Sequence, residues 1–219
     1  MACSLPRGLI VSCQALDNEP LHSSFIMGRM ALAAQQGGAV GIRANSTEDI
    51  AEIRRIVPLP IIGIIKKEYP GMIPYITPTH TEIQALIDAG TDIIALDATI
   101  DQDEEFLASL KTRYPDTAFM ADISTKDEGL RADRMGFDYI GTTLIGYTKQ
   151  SKTVDKFQVL QMLINQCKHP VIAEGNFSTP EQAAKAIHLG AHAVVVGSAI
   201  TRPQVITRNF CTAVSAALR

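Results

Sequence analysis

Four side chains that could take part in chemistry stand where buried apolar runs of the sequence end. The run PIIGIIK ends in Lys66, and PVIAEG places Glu174 directly after an apolar stretch. Arg43 and Asp122 close two further runs, AVGIRA and AFMADIS, in the same way. A lysine, an arginine and two carboxylates can together bind a charged ligand and transfer protons. These residues are the first candidates for a functional site, provided that the fold brings them together.

Lys66 is followed by a second lysine, and the two are expected to differ in their surroundings. Successive side chains point to opposite sides of a strand, so Lys67 should reach solvent if Lys66 faces a ligand. A solvated loop lysine is the plain alternative for Lys66, but the polar residues that close the other runs favour a functional position. Those runs end in Gln14, Arg43, Asp97 with Thr99, Asp122 with Ser124, Thr142 with Thr143, Glu174 and Ser198.

The apolar runs have the pattern of strands in a parallel β-sheet. Each is continuous rather than alternating, as expected for a strand that is covered on both faces. The segments between them have helical spacing, and Pro180 suits a first helical turn. Three segments start with the spacing of a capping box: Thr79 with Glu82, Thr125 with Glu128, and Ser178 with Glu181. The eight predicted strands cover residues 8–14, 39–44, 60–66, 92–99, 118–124, 139–146, 170–176 and 193–200.

An internal repeat predicts how these strands are arranged. QQGGAVGI, DAGTDIIAL, RMGFDYIGT and HLGAHAVVVG share the order helix end, glycine, small or polar residue, strand. Their glycines, Gly38, Gly90, Gly136 and Gly190, suit the left-handed conformation that ends a helix. Because the plan recurs evenly through eight strand–helix units, we predict an α/β fold, a (β/α)8 TIM barrel, with residues 1–219 as a single domain. A doubly wound open sheet is the competing fold.

Small residues at the ends of the last two strands predict a phosphate site. In a (β/α)8 barrel the functional site lies at the carboxyl ends of the strands. There Gly175 and Asn176 follow Glu174, and Gly197 precedes Ser198. Loops at these positions commonly bind phosphate through backbone N–H groups, and glycine permits close approach. Simple turn residues are the alternative, but their occurrence at both strands favours a phosphorylated small molecule as the ligand.

The sequence indicates neither a metal centre nor a bound nucleotide. The histidines, His22, His80, His169, His188 and His192, do not close strands on the predicted catalytic face. His188 and His192 are four residues apart, but His192 lies at a strand start, so we interpret the pair as structural. There is no GxGxxG or Walker pattern. We therefore expect no metal and no nucleotide cofactor.

The composition argues against several classes of partner. The 219 residues carry a formal net charge of −3 and no basic run, so neither nucleic acid nor a membrane is an expected partner. No stretch approaches the ~18 apolar residues of a membrane span, and the start lacks a signal-peptide pattern, so we expect a cytoplasmic protein. Cys3, Cys13, Cys167 and Cys211 form no CxxC pair, which argues against disulfides or a zinc site.

Several strings together resemble the N-acylglucosamine-6-phosphate 2-epimerases, also called N-acetylmannosamine-6-phosphate 2-epimerases. They are IVSCQALDNEPLHSSFIMGRMALAAQQGGAVGIRA, PIIGIIKKEYPGMIPYITPT, IALDAT, MADIS, FDYIGTTLIGYT, EGNFSTPEQA and VVVGSAITRP, in the family's order. The resemblance runs from Gly8 to Arg202 and beyond. It implies a (β/α)8 enzyme of sialic acid and amino-sugar catabolism. That enzyme interconverts N-acetyl-D-mannosamine 6-phosphate and N-acetyl-D-glucosamine 6-phosphate without a cofactor.

The resemblance also implies roles for individual residues and an assembly. The implied catalytic residues are Lys66 and Glu174, and the implied substrate contacts are Gln14, Arg43, Asp122 and Arg202. The family further implies a homodimer that exchanges the last helix between subunits. This chain departs from the family in two places. Asn176 stands where members often have arginine, which removes a charge near the phosphate, and the loop IDQDEEF after Thr99 is short and acidic rather than rich in arginine and proline.

The implied reaction sets a requirement on Lys66. A proton must leave C2 on one face of the open-chain sugar and return on the other, which needs a base and an acid. Lys66 can be a base only when neutral, so its pKa must fall below the usual value. Burial and Arg43 would lower that pKa, whereas Asp122 and Glu174 would raise it. We expect Lys66 and Glu174 to act from opposite sides of C2.

Two other interpretations are left open by the residues. Lys66 could form an imine with a carbonyl substrate, as in Schiff-base lyases and aldolases. The barrel could instead bind a sugar phosphate without catalysis, although mere binding needs neither a base nor an acid.

Overall fold

Eight parallel strands form a closed barrel in the computed structural model, which describes residues 5–218. The strands are β1 (Gly8–Cys13), β2 (Gly41–Asn45), β3 (Ile61–Ile64), β4 (Ile93–Asp97), β5 (Ala118–Asp122), β6 (Tyr139–Gly141), β7 (Val171–Ala173) and β8 (Ala193–Val196). Each strand pairs with the next in chain order, and β8 pairs with β1. The closed order confirms the (β/α)8 TIM barrel and rules out the open sheet.

Helices follow the strands around the outside of the barrel. They are α1 (Ser24–Gln36), α2 (Thr47–Ile56), α3 (His80–Asp88), α4 (Glu104–Arg113), α5 (Lys126–Met135), α6 (Lys156–Gln166), α7 (Pro180–His188), α8 (Ser198–Thr201) and α9 (Pro203–Ala217). A short 3-10 turn, Lys149–Ser151, precedes α6. None of the helices within residues 5–218 is long and apolar enough to cross a membrane.

Strand side chains alternate between two apolar cores. In β4, Ile93 and Ala95 belong to the cluster inside the barrel, whereas Ile94 and Leu96 pack in the layer between strands and helices. This alternation is the ordinary period of a strand, and here both faces are apolar because both are buried. Continued to the strand end, the same period points Asp97 inward. The alternation therefore selects which polar residues reach the barrel mouth.

Two of the three predicted capping boxes are confirmed, and the third is wrong. Thr79 with Glu82 and Thr125 with Glu128 form both reciprocal hydrogen bonds at the starts of α3 and α5. At α7 the N-cap is Thr179 rather than Ser178, and its side chain accepts from the backbone N–H of Gln182. The cap lies one residue later because Pro180 occupies the first helical turn, as predicted.

The repeated glycines adopt the predicted left-handed conformation. Gly136 ends α5 with φ 83°, and its N–H bonds to carbonyls of the preceding turn. A side chain at this φ would be strained, which explains the glycine there. Gly38, Gly90 and Gly190 also have positive φ. The repeat in the sequence thus corresponds to a glycine with positive φ that lies before every second strand, namely β2, β4, β6 and β8.

Helix α9 differs from the other helices in that none of its residues is buried. Phe210 and Val214 on this helix are exposed by 70% and 57%, and Leu218 just beyond it by 83%. The eighth strand–helix unit therefore has its strand in the barrel but leaves the apolar side of its helix uncovered. Free cysteines stand at Cys13, Cys167 and Cys211; Cys3 lies outside the described residues.

Candidate active site

One cavity of about 850 Å³ opens at the carboxyl ends of the strands. It collects almost every site residue predicted from the sequence, so the strand ends converge as expected. The predicted residues that line it are Gln14, Arg43, Lys66, Glu174, Gly175, Asn176, Gly197, Ser198 and Arg202.

Arg43 connects the two carboxylates predicted for the site. Its side chain reaches across the barrel interior and is only 1% exposed. Nη2 lies 2.5 Å from Asp122 Oδ2, and Nη1 donates to Asp122 Oδ1 at 3.1 Å and to Glu174 Oε2 at 3.0 Å. A buried guanidinium with two carboxylate partners satisfies charges that would otherwise be costly inside the barrel. The geometry makes Arg43, Asp122 and Glu174 one hydrogen-bonded unit.

Asp122 does not reach the surface of the cavity. Its side chain is wholly buried and accepts two hydrogen bonds from Arg43. Asp97, one strand away, is also buried and turns back to its own loop, where it accepts from the N–H and hydroxyl of Thr99. Burial raises the pKa of Asp97 to about 6. In this conformation Asp122 therefore supports Arg43, while the substrate contact implied for it stays a prediction.

Lys66 lies in the cavity wall with its pKa lowered. Its backbone N–H donates to Asn45 Oδ1 at 2.9 Å, and it pairs with Ile76 across the loop that follows β3. Burial lowers the pKa of Lys66 to about 8, with further lowering from Arg43 and Arg202. The carboxylates raise it, but by less. Burial and the two arginines therefore outweigh the carboxylates in their effect on the pKa of Lys66, so this lysine is partly neutral near physiological pH.

Lys67 points away from the cavity, as the strand period predicted. Its side chain is 52% exposed, and Nζ lies 3.8 Å from Glu82 Oε1 and over the ring of Tyr69. Tyr69 donates its hydroxyl to the same Glu82 oxygen at 2.8 Å. The capping glutamate of α3 therefore also anchors the loop that begins at the lysine pair. Lys67 therefore lies at the surface beside α3 and does not line the cavity.

Glu174 has a pKa shifted in the opposite direction. Burial raises the pKa of this carboxyl to about 7, and Asp122 raises it as well, while Arg43 and Lys66 oppose the rise. Its backbone N–H and carbonyl are both bonded to the hydroxyl of Thr142, at 2.9 and 2.8 Å. Glu174 is held in place by its main chain and is poised to gain or lose a proton near neutral pH.

The loop after β7 has a constrained backbone. Gly175 has φ 98°, and a Cβ there would lie 3.1 Å from the carbonyl oxygen of Thr143. Asn176 also has positive φ, at 56°, and is held at two points. Tyr147 donates to Asn176 Oδ1 at 2.9 Å, and Lys156 Nζ donates to the Asn176 carbonyl at 2.6 Å. The loop at the edge of the cavity is therefore held by side chains from two other segments.

The opposite edge of the predicted phosphate site is formed after β8. Gly197 is the N-cap of the short helix α8, and Ser198 is its first residue. Arg202 donates from Nη1 to Ser198 Oγ at 3.0 Å and from Nη2 to Glu19 Oε2 at 2.8 Å. Gln14, just beyond the end of β1, donates to Oγ of Ser12 on that strand at 2.8 Å. These side chains are thus ordered by protein partners around the cavity.

Several lining residues were not singled out from the sequence. Tyr75 and Ile76 come from the long loop after β3, which has neither helical nor strand period. Val205, Ile206 and Phe210 come from α9, and their apolar spacing on that helix was the signal that could have marked them. Within residues 5–218 no three His, Cys, Asp or Glu side chains cluster as a metal site requires. The absence of metal and cofactor stays a prediction.

Fold and cavity together define a (β/α)8-barrel enzyme in which a lysine and a glutamate, both with pKa values near neutrality, share one cavity. A family model described as "Putative N-acetylmannosamine-6-phosphate epimerase" matches residues 27–216. The chain belongs to this family, and the resemblance noted in the sequence is confirmed.

Relatives and solved structures agree with this assignment. A "Putative N-acetylmannosamine-6-phosphate 2-epimerase" of Shouchella clausii is 55% identical over 94% of both chains. One of Staphylococcus haemolyticus is 52% identical over 96% of this chain and 98% of its own. The solved N-acetylmannosamine-6-phosphate 2-epimerase from Clostridium perfringens is 50% identical, with a TM-score of 0.89 over 93% of this chain and 92% of that one. A thiamine phosphate pyrophosphorylase from Pyrococcus furiosus, 17% identical with a TM-score of 0.62 over 89% and 87%, shares the fold alone.

Proposed function

We propose that this protein is an isomerase that interconverts N-acetyl-D-mannosamine 6-phosphate and N-acetyl-D-glucosamine 6-phosphate. The observation that carries the proposal is the presence of Lys66 and Glu174 in one cavity, with pKa values of about 8 and about 7. A general acid or base works best when its pKa lies near the working pH. The reaction fits amino-sugar and sialic acid catabolism, as the resemblance implied.

Lys66 and Glu174 serve as the two partners of a proton exchange at C2. In the open-chain sugar the aldehyde at C1 acidifies the C2 proton, so its removal leaves an enolate. One residue takes this proton from one face, and the other delivers a proton to the opposite face. The positive charge of Arg43 offsets the negative charge that develops. Reversal of the roles of Lys66 and Glu174 gives the reverse reaction.

Both directions of the reaction should share one pH profile. Charged Lys66 with ionised Glu174 and neutral Lys66 with protonated Glu174 contain the same number of protons, so their populations rise and fall together with pH. We expect a bell-shaped profile of kcat/KM with an acid limb near 7 and an alkaline limb near 8.

The substrate phosphate is assigned to the loops after β7 and β8. Gly175 and Asn176 form the constrained loop on one side, and Gly197 and Ser198 start the short helix on the other. Arg202 lines the same part of the cavity and supplies positive charge. Gln14 and Arg43 then contact the sugar hydroxyl or acetamido groups. The neutral Asn176 leaves Arg202 as the main cation for the phosphate in this proposal.

The proposal is tested by proton NMR of N-acetylmannosamine 6-phosphate with the protein in D2O. We expect conversion to the gluco epimer with deuterium at C2. Lys66→Met and Glu174→Gln should each lower the rate by at least ~10²-fold, as expected for loss of an acid or base. Lys67→Met is the matched control, because it removes a cation one residue away without touching the cavity. Full activity in Lys66→Met would overturn the assignment.

Borohydride reduction distinguishes imine formation at Lys66 from acid/base catalysis by the same residue. Treatment of the protein with substrate and borohydride should leave the mass of Lys66-containing peptides unchanged. A stable adduct at Lys66 would instead establish imine chemistry. If the protein binds the sugar phosphate but neither converts it nor exchanges its C2 proton, the interpretation as a non-catalytic binding barrel is correct.

We also propose that the protein is a homodimer. Support comes from α9, whose apolar side chains Phe210 and Val214 are uncovered in the single chain and whose residues Val205, Ile206 and Phe210 line the cavity. An uncovered apolar helix face of this kind is typical of an interface. The cytoplasmic location, the absence of nucleic-acid or membrane partners and the single-domain organisation stay predictions.

A further inference from the structure

We infer that Thr143, at the end of β6, is a positioning residue for the proton transfer. Its hydroxyl fixes the carboxylate of Asp122 against Arg43, and so fixes the place of Arg43 beside Glu174. Neither the proposed reaction nor the family resemblance assigns this residue a role. The inference rests on the proposed function, since it concerns the same acid/base pair.

The strand period places Thr143 at the site. Tyr139 belongs to the cluster inside the barrel, so the alternation of β6 points Gly141 and then Thr143 inward. Thr143 lines the cavity. Gly141 below it leaves the room that this arrangement needs. A Cβ at Gly141 would lie 2.1 Å from Met120 Cε, and 3.3 Å from both Asp122 Oδ1 and Thr143 Oγ1.

The hydrogen bonds make Asp122 and Glu174 unequal. Thr143 donates its single hydroxyl proton to Asp122 Oδ1 at 2.6 Å, and Arg43 donates to both oxygens of the same carboxylate. The side chain of Glu174 accepts one such bond, from Arg43 Nη1. Asp122 is thus committed to protein partners, whereas Glu174 retains acceptor capacity for the substrate. The hydrogen bond from Thr143 completes the set of protein donors that occupy the carboxylate of Asp122.

The neighbouring threonine holds the second carboxylate by its backbone. Thr142 points to the other side of β6, where its hydroxyl donates to the Glu174 carbonyl and accepts from the Glu174 N–H. Two consecutive threonines therefore fix the two carboxylates, one through its side chain and one through its main chain. Regular sheet pairing joins backbone groups only. The Thr142 hydroxyl is therefore an additional contact that holds the main chain of Glu174.

The groups around Glu174 determine what loss of Thr143 would do. Arg43 from β2 and Lys66 from the end of β3 lower the pKa of Glu174, and Asp122 from β5 raises it. The Thr143 hydroxyl acts through Asp122, to which its single proton is donated. Without this hydroxyl, Asp122 loses one of its fixed donors and holds Arg43 less firmly. Because Arg43 lowers the pKa of Glu174, that pKa then rises. These changes should affect catalysis more than binding.

The test compares Thr143→Val with Thr143→Ser. Valine keeps the shape and removes the hydroxyl, whereas serine keeps the hydroxyl. We expect Thr143→Val to lower kcat roughly tenfold, as for loss of one hydrogen bond to a charged group, with KM changed by less than about twofold. The acid limb of its pH profile should move to higher pH in both substrate directions. Thr143→Ser should restore kcat and the pH profile, and Thr143→Val should remain folded with a melting temperature lowered by a few degrees.

Two outcomes would overturn the inference. One is a Thr143→Val enzyme with the kcat and pH profile of the wild type. The other is an equal loss in Thr143→Ser and Thr143→Val, which would show that the methyl group matters and the hydroxyl does not. If the wild-type protein itself proves inactive, the proposed function fails. A carboxyl 13C NMR titration then still decides the inference, since Thr143→Val must raise the pKa of Glu174 in the free protein.

Discussion

Lys66 and Glu174 owe their pKa values to opposite consequences of the same burial. Removal from water disfavours the charged form of each group, so the pKa of the lysine falls and that of the glutamate rises. The result is two groups with pKa values about one unit apart around neutral pH. The charged neighbours tune this effect, with Arg43 lowering both values.

Arg202 offers a way to move one limb of the pH profile without the other. Its positive charge lowers the pKa of Lys66, so Arg202→Gln should raise that pKa and shift the alkaline limb of kcat/KM to higher pH. The acid limb, which belongs to Glu174, should stay in place. A pH series of kcat/KM measures this, with Arg208→Gln on the exposed side of α9 as the matched control. An alkaline limb that does not move would show that Lys66 is not the group titrating there.

The lowered pKa of Lys66 has a stability cost, which Lys66→Met should remove. Below pH 8 the lysine is charged in both the folded and the unfolded state. Burial of this charge then lowers the free energy of unfolding by its full amount. That cost falls as the pH rises from about 8 toward 10.5. At pH 7 we expect Lys66→Met to be more stable by on the order of 3 kcal/mol and to melt several degrees higher.

Thermal melts at pH 7 and pH 10.5 distinguish this effect from better packing of methionine. The gain should be present at pH 7 and largely absent at pH 10.5. Lys67→Met, at an exposed position, should change the melting temperature little at either pH. A gain that is the same at both pH values would attribute the stability to packing rather than to the charge.

At the scale of elements, the loop after β7 depends on a side chain from α6, the helix that precedes that strand. Lys156, the first residue of α6, donates to the carbonyl of Asn176 and lies 4.3 Å from the ring centroid of Phe177. Asn176 has positive φ, a conformation that costs energy for a residue other than glycine. Lys156 therefore helps to keep the predicted phosphate loop in its strained form.

Lys156→Met should weaken binding of the phosphate without slowing the chemical step. We expect KM for the phosphorylated substrate to rise about fivefold, which corresponds to about 1 kcal/mol, with kcat nearly unchanged. Inorganic phosphate should also become a weaker competitive inhibitor. Lys152→Met, at an exposed position before α6, is the matched control. Loss of kcat with an unchanged KM would show that Lys156 acts on the catalytic groups instead of the loop.

The elements that the sequence predicted well are those set by local rules. The order of the strands, the glycine caps and two capping boxes follow from neighbouring residues, although predicted strands such as 139–146 and 193–200 are too long, since β6 ends at Gly141 and β8 at Val196. The strand period then selects Gln14, Lys66 and Glu174 as inward-facing. The burial of Asp122 was not predictable, because it depends on Arg43 crossing the barrel from β2 to β5. Tyr75 was missed because the loop that carries it has no periodicity to read.

At the scale of the whole molecule, the barrel separates stability from chemistry. The apolar clusters inside and outside the strands hold the fold, and the polar strand ends carry charges that cost stability. The eight strand–helix units follow one another around one closed barrel within residues 5–218, and a single domain over residues 1–219 stays a prediction. The exception is α9, where apolar side chains face both the cavity and the outside.

The uncovered face of α9 predicts a dimer whose disruption also impairs the site. Phe210 is 70% exposed yet lines the cavity, so a partner that covers it would close one side of the substrate site. We expect the wild type to have twice the 23.7 kDa mass of the chain in light scattering. Phe210→Glu should yield monomers with lower kcat/KM, because a charge cannot be buried at an apolar interface without a partner. Thr212→Glu, on the opposite side of the helix, should remain dimeric and active. A wild type that is monomeric and fully active at micromolar concentration would refute this role of α9 and leave its apolar face unexplained.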